Sequence, residues 1–275
     1  VSEIVTSGAI MFGIALFFGV TLAFANRVLY VEEDPRIEAV EGKLPGTNCG
    51  ACGQPGCHAF AEVLVRGDAL PGKCTVSSPD AKGDIATYLG VDVGFEEKRV
   101  ARLRCAGGRS SVRQVAEYRG LTSCRAAIVI NGGGRACPWG CLGFGDCERA
   151  CGFDAIRMND EKLPVVDLER CTACGDCVDV CPLDLFALAP VSARALVQCS
   201  SPLTGEVARA SCRVACDACG RCALDAPEGA IEMRDGLPVI RDADRASEGC
   251  TFRCPTGAIQ WVEGKQFEPR GATHG

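Results

Sequence analysis

Between Ile4 and Ala25 the chain carries no charged residue. This stretch, IVTSGAIMFGIALFFGVTLAFA, matches the roughly 20 apolar residues that cross a bilayer core as a helix, and it predicts a transmembrane anchor within residues 1–27. Thr6, Ser7 and Thr21 are tolerable there, because hydroxyls in a helix can bond back to its own carbonyls. The pattern then changes. Residues 28–43 are charged and broken by Pro35, with Pro45 and Gly46 just beyond, and predict a short helical or extended linker. In "HAFAEVLVRG", Phe60, Val63 and Leu64 recur at helical spacing and Gly67 suits a helix stop. Further on the period shortens. "VARLRC" alternates, with Ala101, Leu103 and Cys105 on one face, and "ARALVQC" does the same with Ala193, Ala195, Val197 and Cys199. "DAIRMND" and "KLPVVD" predict a short pair of strands.

Charge orients the apolar segment. Glu3 is the only charge before it and Arg27 follows at once, so the positive-inside rule places the body of the chain in the cytoplasm and the N-terminus outside. A cleaved signal peptide would need a basic leading region, which is absent, and a shorter apolar core. The net charge of −6 disfavours non-specific binding to nucleic acid.

Composition adds one dominant fact. The chain holds 21 cysteines but only two Trp, three Tyr and two His. That load means either a secreted disulfide scaffold or a metal protein. Clustering argues for metal, since cysteines two residues apart rarely satisfy disulfide geometry but readily converge on one centre. The odd count and the absence of a cleavable signal also favour a reducing compartment.

The cysteines fall into groups. Cys49, Cys52, Cys57 and Cys74 follow C-x2-C-x4-C-x16-C. Zinc sites usually show two separated pairs, so three close cysteines and one distant one look more like an iron–sulfur cluster. The second run, "CPWGCLGFGDCERAC", holds Cys137, Cys141, Cys147 and Cys151. The third, "CTACGDCVDVCP", holds Cys171, Cys174, Cys177 and Cys181. Together these two resemble the bacterial ferredoxin pattern, in which the fourth cysteine of each run ligates the other run's [4Fe–4S] cluster. That resemblance implies one set of Cys137, Cys141, Cys147 and Cys181 and another of Cys151, Cys171, Cys174 and Cys177. The second run departs from the pattern in its x3 and x5 spacings and in Gly152, where proline is usual.

A further module is degenerate. "CRVACDACGRCALDAPEGAI" offers Cys212, Cys216, Cys219 and Cys222, but Ala226 stands where the run would place its last cysteine. In "DRASEGCTFRCPTGAI", Asp244 and Ser247 occupy two cysteine positions, leaving Cys250 and Cys254. The crossed pattern leaves one complete set: Cys216, Cys219, Cys222 and Cys254. Cys212 is an alternative to Cys216, which the spacing favours. The site that retains only Cys250 is expected to have lost its cluster. Four [4Fe–4S] clusters are therefore expected. Cys105, Cys124, Cys199, Cys212 and Cys250 remain, either as buried small hydrophobes or as paired thiols or an extra metal site. Cys105 and Cys199 each end an alternating stretch, and Cys124 or Cys212 follows before a ferredoxin-like run, so the unit reads as duplicated.

Other features carry less. "NGGGR" at 131–135 lacks the strand and helix of a phosphate loop and is expected to lead flexibly into the ferredoxin run. His58 lies at a helix start, exposed or just outside a cluster's ligands, and His274 in a tail. No nucleophile–base constellation stands out.

An anchor, then "VEEDPRIEAVEGKLPGTNCGACGQPGCHAFAEVLVRG", then "CRAAIVINGGGRACPWGCLGFGDCERAC" and the ferredoxin run resemble, in that order, the RnfB family. These are the B subunits of the Rnf ion-translocating ferredoxin:NAD oxidoreductase complex. The resemblance extends to about residue 262. It implies an electron-transfer subunit of the cytoplasmic (inner) membrane that passes electrons from soluble reduced ferredoxin into a complex. Other subunits there hold flavins and move sodium ions or protons, and this chain has no active site of its own. An anchored polyferredoxin of another reductase or hydrogenase, and an iron–sulfur sensor, share the same cysteine features. The expected fold is α+β. It comprises the anchor (1–27), a linker (28–43), a four-cysteine domain (44–95), a strand and loop with a two-cluster ferredoxin module (96–192), a degenerate second module (193–263) and a tail (264–275).

Overall fold

A computed structural model describes residues 2–29 and 34–267. The uncharged stretch lies within one helix, α1 (Ser2–Leu29). Thr21 donates its hydroxyl to the Phe17 carbonyl at 2.7 Å, so the polar group is satisfied within the helix. Met11, Phe12, Phe17, Leu22 and Phe24 are all exposed. From Thr6 to Leu29 the helix is long and apolar enough to cross a membrane.

Of the stretch expected to be a linker, residues 30–33 lie outside the described residues. Residues 28–29 end α1 and residues 35–41 form α2 (Pro35–Glu41), with Pro35 in its first turn and the Asp34 side chain accepting from the Arg36 N–H at 2.9 Å. Ile37, Val40 and Leu44 fall on one face and pack against Phe60, Leu64 and Ile85. The four-cysteine domain thus begins its core at α2, before residue 44. Helix α3 (Cys57–Arg66) buries Phe60, Ala61 and Leu64 and stops at Gly67, as the spacing predicts. Helix α4 (Pro79–Leu89) is capped by Ser78, whose hydroxyl accepts from the Ala81 N–H, and closes the domain by burying Ile85.

The remainder is one unit built twice. The first copy runs β1 (Arg99–Leu103), α5 (Cys124–Val129), α6 (Asp146–Ala150), β2 (Ile156–Met158), β3 (Pro164–Val166), α7 (Asp176–Val180) and β4 (Phe186–Pro190). The second runs β5 (Ala195–Val197), α8 (Gly205–Ser211), α9 (Arg221–Asp225), β6 (Ile231–Arg234), β7 (Leu237–Ile240), α10 (Gly249–Phe252) and β8 (Ile259–Trp261). Pairing repeats with the order. β1 pairs antiparallel with β4, Leu103 opposite Phe186, and β5 with β8, Val197 opposite Ile259. The hairpins β2–β3 and β6–β7 are also antiparallel. The paired strands expected in "DAIRMND" and "KLPVVD" are β2 and β3. The mixed, segregated elements make the fold α+β.

The alternation expected in "VARLRC" and "ARALVQC" does not survive. Val100, Ala101, Arg102 and Leu103 are all buried, as are Ala195, Leu196 and Gln198. Neighbouring positions on both faces are buried, the polar Arg102 and Gln198 among them, while Arg99 at the start of β1 is exposed. Arg102 donates to the Gly264 carbonyl at 2.9 Å. Part of the expected tail is therefore structural. Gln266 is 2 % exposed. Its amide accepts from the Leu103 N–H at 2.9 Å and donates to the Leu103 carbonyl at 3.1 Å, which satisfies the free edge of β1 as a neighbouring strand would. Residues 268–275, including His274, lie outside the described residues.

Candidate iron–sulfur sites

Three cysteine loops share one backbone. In "CLGFGDC", "CTACGDC" and "CDACGRC", the third residue is left-handed, at Gly143 (φ 77°), Ala173 (φ 61°) and Ala218 (φ 62°). So is the fifth, at Gly145 (φ 76°), Gly175 (φ 99°) and Gly220 (φ 71°). An alanine in this region costs about 1–2 kcal/mol, and two alanines hold it at the same place. Alternating hands turn successive N–H groups toward one point, the arrangement that receives anions. A short helix then follows each loop and carries its last cysteine inward: α6 with Cys147, α7 with Cys177 and α9 with Cys222.

Each loop closes a cavity with cysteines from elsewhere. Cys171, Cys174 and Cys177 line one with Cys151. Cys216, Cys219 and Cys222 line another with Cys254. Cys141 and Cys147 line a third with Cys181 and Cys124. Among the described residues, no three His, Cys, Asp or Glu side chains gather at a single-ion position. Backbone N–H groups already point at sulfurs: Ala155 at Cys151 Sγ (3.3 Å), Leu185 at Cys181 Sγ (3.5 Å) and Ala101 at Cys171 Sγ (3.5 Å). Burial, with the neighbouring thiols adding to it, pushes Cys147 and Cys177 up to about 12 and Cys216 and Cys222 up to about 11. Ligation needs thiolates, so loading these cavities must release protons. Four soft donors around one cavity, with N–H groups aimed at the sulfurs, fit a [4Fe–4S] cluster.

The third cavity departs from the sequence expectation. Cys137 is absent from it and Cys124 takes its place. Phe144 stands in the middle of "CLGFGDC" where the corresponding loop has Cys219. The fourth cysteine at this cavity lies in the first turn of α5. Asp146 holds that turn: its Oδ2 accepts from the Cys124 N–H (2.9 Å), the Arg125 N–H (3.2 Å) and the Ser123 hydroxyl (3.0 Å). Asp146 is itself buried and paired with Arg149. Nothing in the spacing singles out Cys124; Phe144, where the other loops have a cysteine, is the local signal that a ligand must come from elsewhere.

In the first domain Cys74 is buried with Cys52 and Cys57 packed beside it, and Cys49 and Cys74 both lie close enough to raise the Cys52 thiol further after burial has done so. Asn48 accepts from the Cys57 N–H at 2.7 Å and starts α3. His58 is half-exposed, its Nδ1 2.7 Å from Glu41 of α2, so it ties α2 to α3. The "NGGGR" segment is a kinked turn of left-handed glycines leading to Arg135.

The degenerate site has changed conformation as well as composition. Ala246 is not left-handed, and Glu248, in the place of Gly175, has φ −55°. Cys250 is fully buried with Cys222, Ile231 and Ile259. Its Sγ faces Ser247 Oγ (3.7 Å) and the Asp225 carbonyl (3.9 Å).

Comparison with known proteins agrees with this architecture. Residues 44–76 match the family described as "Putative Fe-S cluster", and residues 136–185 match the 4Fe-4S dicluster domain. The chain is 38% identical to the B subunit of the Na(+)-translocating ferredoxin:NAD(+) oxidoreductase complex of Acetobacterium woodii, over 89% of this chain and 74% of the relative. It is 34% identical to the B subunit of the ion-translocating oxidoreductase complex of Methanosarcina acetivorans, over 94% of this chain and 98% of the relative. The chain belongs to the RnfB family. A third member, the B subunit of the proton-translocating ferredoxin:NAD(+) oxidoreductase complex of Clostridium ljungdahlii, is 38% identical over 90% of this chain and 89% of its own length. Like its relatives in the RnfB family, the chain is an electron-transfer subunit with iron–sulfur domains.

Proposed function

We propose that this chain takes electrons from reduced ferredoxin and relays them into an Rnf-type membrane complex that couples ferredoxin:NAD oxidoreduction to sodium or proton movement. The observation that carries the reading is the continuity of the cysteine groups. Thr75, next to Cys74, donates its hydroxyl to the carbonyl of Thr172, next to Cys171, at 2.8 Å. The first domain therefore abuts the cavity of Cys151, Cys171, Cys174 and Cys177. Cys147 lies close enough to Cys177 to raise its thiol, which brings that cavity against the one of Cys124, Cys141, Cys147 and Cys181.

We assign one [4Fe–4S] cluster to each of these three groups and one to Cys216, Cys219, Cys222 and Cys254. When bound, such clusters supply one-electron carriers. The protein's part is to hold them in series, direct N–H groups at their sulfurs and exclude water. NAD chemistry and ion movement fall to other subunits, and this chain has no active site of its own. The apolar helix α1 tethers it to the cytoplasmic membrane, with Arg27 and the bulk of the chain on the cytoplasmic side.

The test uses inverted membrane vesicles containing the assembled complex. NAD reduction driven by reduced ferredoxin should be present with this chain and lost when it is deleted, and removal of α1 should release the chain from the membrane. Unchanged NAD reduction without the chain, or co-purification with a hydrogenase in place of the complex, would overturn the reading.

A further inference from the structure

Four cysteines outside the assigned groups meet at the junction of the two repeated units. Cys105 lies just beyond β1, Cys137 before the "CLGFGDC" loop, Cys199 beyond β5 and Cys212 beyond α8. They are 6 %, 7 %, 8 % and 5 % exposed. Cys137, Cys199 and Cys212 share one buried cluster with Val112, Ala208 and Ala258. Cys105 joins them through two glycines. A side chain at Gly107 would meet Cys212 Sγ at 3.3 Å and Cys105 Sγ at 3.4 Å, and one at Gly140 would meet Cys137 Sγ at 3.4 Å and Cys105 Sγ at 3.7 Å. Backbone bonds fasten the segments: Ala106 N–H to the Gln198 carbonyl (2.9 Å), Arg113 N–H to Ser211 (3.1 Å) and Arg213 N–H to Ser111 (3.0 Å).

The internal repeat explains why these thiols are available. One separation relates Cys137 to Cys212, Cys141 to Cys216 and Cys147 to Cys222, and Cys105 and Cys199 stand alike just beyond β1 and β5. In the first copy Phe144 leaves a ligand position that Cys124 fills. In the second copy Cys219 fills it, and Cys105 and Cys199, beyond equivalent strands, both lie at the junction. Cys137 and Cys212, equivalent to each other, face it from both copies.

Polar groups at the junction point the same way. The Cys141 N–H donates to Cys105 Sγ at 3.2 Å. Arg135 is buried and donates to the carbonyls of Gly107 (2.8 Å), Gly108 (3.2 Å) and Cys141. Its Nε has no protein partner among the described residues. A buried guanidinium held only by carbonyls calls for a negative charge nearby, and this one acts on the thiols of Cys105, Cys137 and Cys212 together.

We propose that Cys105, Cys137, Cys199 and Cys212 bind a fifth [4Fe–4S] cluster that bridges the two ferredoxin-like units, with Arg135 offsetting its charge. The site lies between the Cys141 group, through the Cys141–Cys105 bond, and the Cys216 group, since Cys199 lies close enough to act on Cys216. It makes one series of what are otherwise two separate sets. The proposal rests on the iron–sulfur reading above.

The test is iron and acid-labile sulfide on the anaerobically purified full chain, with electron paramagnetic resonance of the reduced protein. Five cubes predict about 20 of each, and the Cys105→Ala/Cys199→Ala variant about 16, with one spectral component lost and the others kept. Cys250→Ser should retain about 20. A wild-type value near 16 overturns the fifth site, as does an unchanged count in the double variant or a loss of about four iron in Cys250→Ser. If the double variant does not fold, the wild-type and Cys250→Ser counts decide. Ferredoxin oxidation separates the two readings. About 20 iron without it removes the ferredoxin role and leaves the site, whereas about 16 iron with it does the reverse.

Discussion

The Cys141 amide donates to Cys105 Sγ at 3.2 Å, while the Cys141 side chain lines a cavity with Cys124, Cys147 and Cys181. One residue thus touches two cysteine groups, by its backbone and by its thiol. This is how the molecule brings distant cysteines into series: short loops present thiols on one side and amides on the other.

Ligand exchange within the first ferredoxin-like unit can be tested directly. Cys124→Ser should remove the cluster assigned to Cys141, Cys147 and Cys181, a loss of about four iron. Cys137→Ser should leave that cluster's paramagnetic signal in place. The opposite outcome would restore the arrangement expected from spacing.

Asp146 is a positioning residue for Cys124. Asp146→Ala deprives the Cys124 and Arg125 amides and the Ser123 hydroxyl of their acceptor, at a cost of about 1–2 kcal/mol for a lost cap. The signal of the Cys124 group should disappear first under mild chelation while the others persist, and Asp146→Asn, which keeps an acceptor oxygen, should be milder. Uniform loss of all signals would show a merely structural role.

The degenerate site should be repairable. Ala226→Cys, Asp244→Cys and Ser247→Cys alongside Cys250 restore four thiols, and Glu248→Gly restores the left-handed position that the other loops hold with glycine. The combined variant should gain about four iron, and the three cysteines without the glycine should gain less. No gain in either would mean that more than ligands and backbone hand was lost.

Segment 264–267 is fastened partly by Lys265, whose Nζ lies 3.0 Å from Asp167. The Arg170 amide and then Lys265 hold the Asp167 carboxyl below its ordinary value of 3.8. A lowered folded value means that the contribution is complete above about 3.8 and is lost only as pH falls through that lower value. Hydrogen exchange at Leu103 and Gln266, corrected for intrinsic rates, should therefore be flat from about pH 5 to 8. Asp167→Asn should raise it at pH 7, and a wild-type step near neutrality would assign the docking to another group.

Much of this protein is legible along the chain because the signals are local. The apolar run from Ile4 to Ala25 is long enough to span and carries no charge, and α1 follows from it. Phe60, Val63, Leu64 and Gly67 define α3 and its stop. The "CTACGDC" and "CDACGRC" loops announce themselves because their ligands and their left-handed turns lie within a few residues.

What the tertiary structure decided is everything that depends on which distant segments meet. Alternation cannot show that Arg102 is buried or that the free edge of β1 is satisfied, because the partners, Gly264 and Gln266, lie far along the chain. Spacing pairs Cys137 with its near neighbours, yet Asp146 holds Cys124 at that cavity and Cys137 packs with Cys199 and Cys212. Cys105, Cys199 and Cys212 look idle in sequence because each belongs to a different segment. Only the packing of the two units, zipped by the amides of Ala106, Arg113 and Arg213, makes them neighbours.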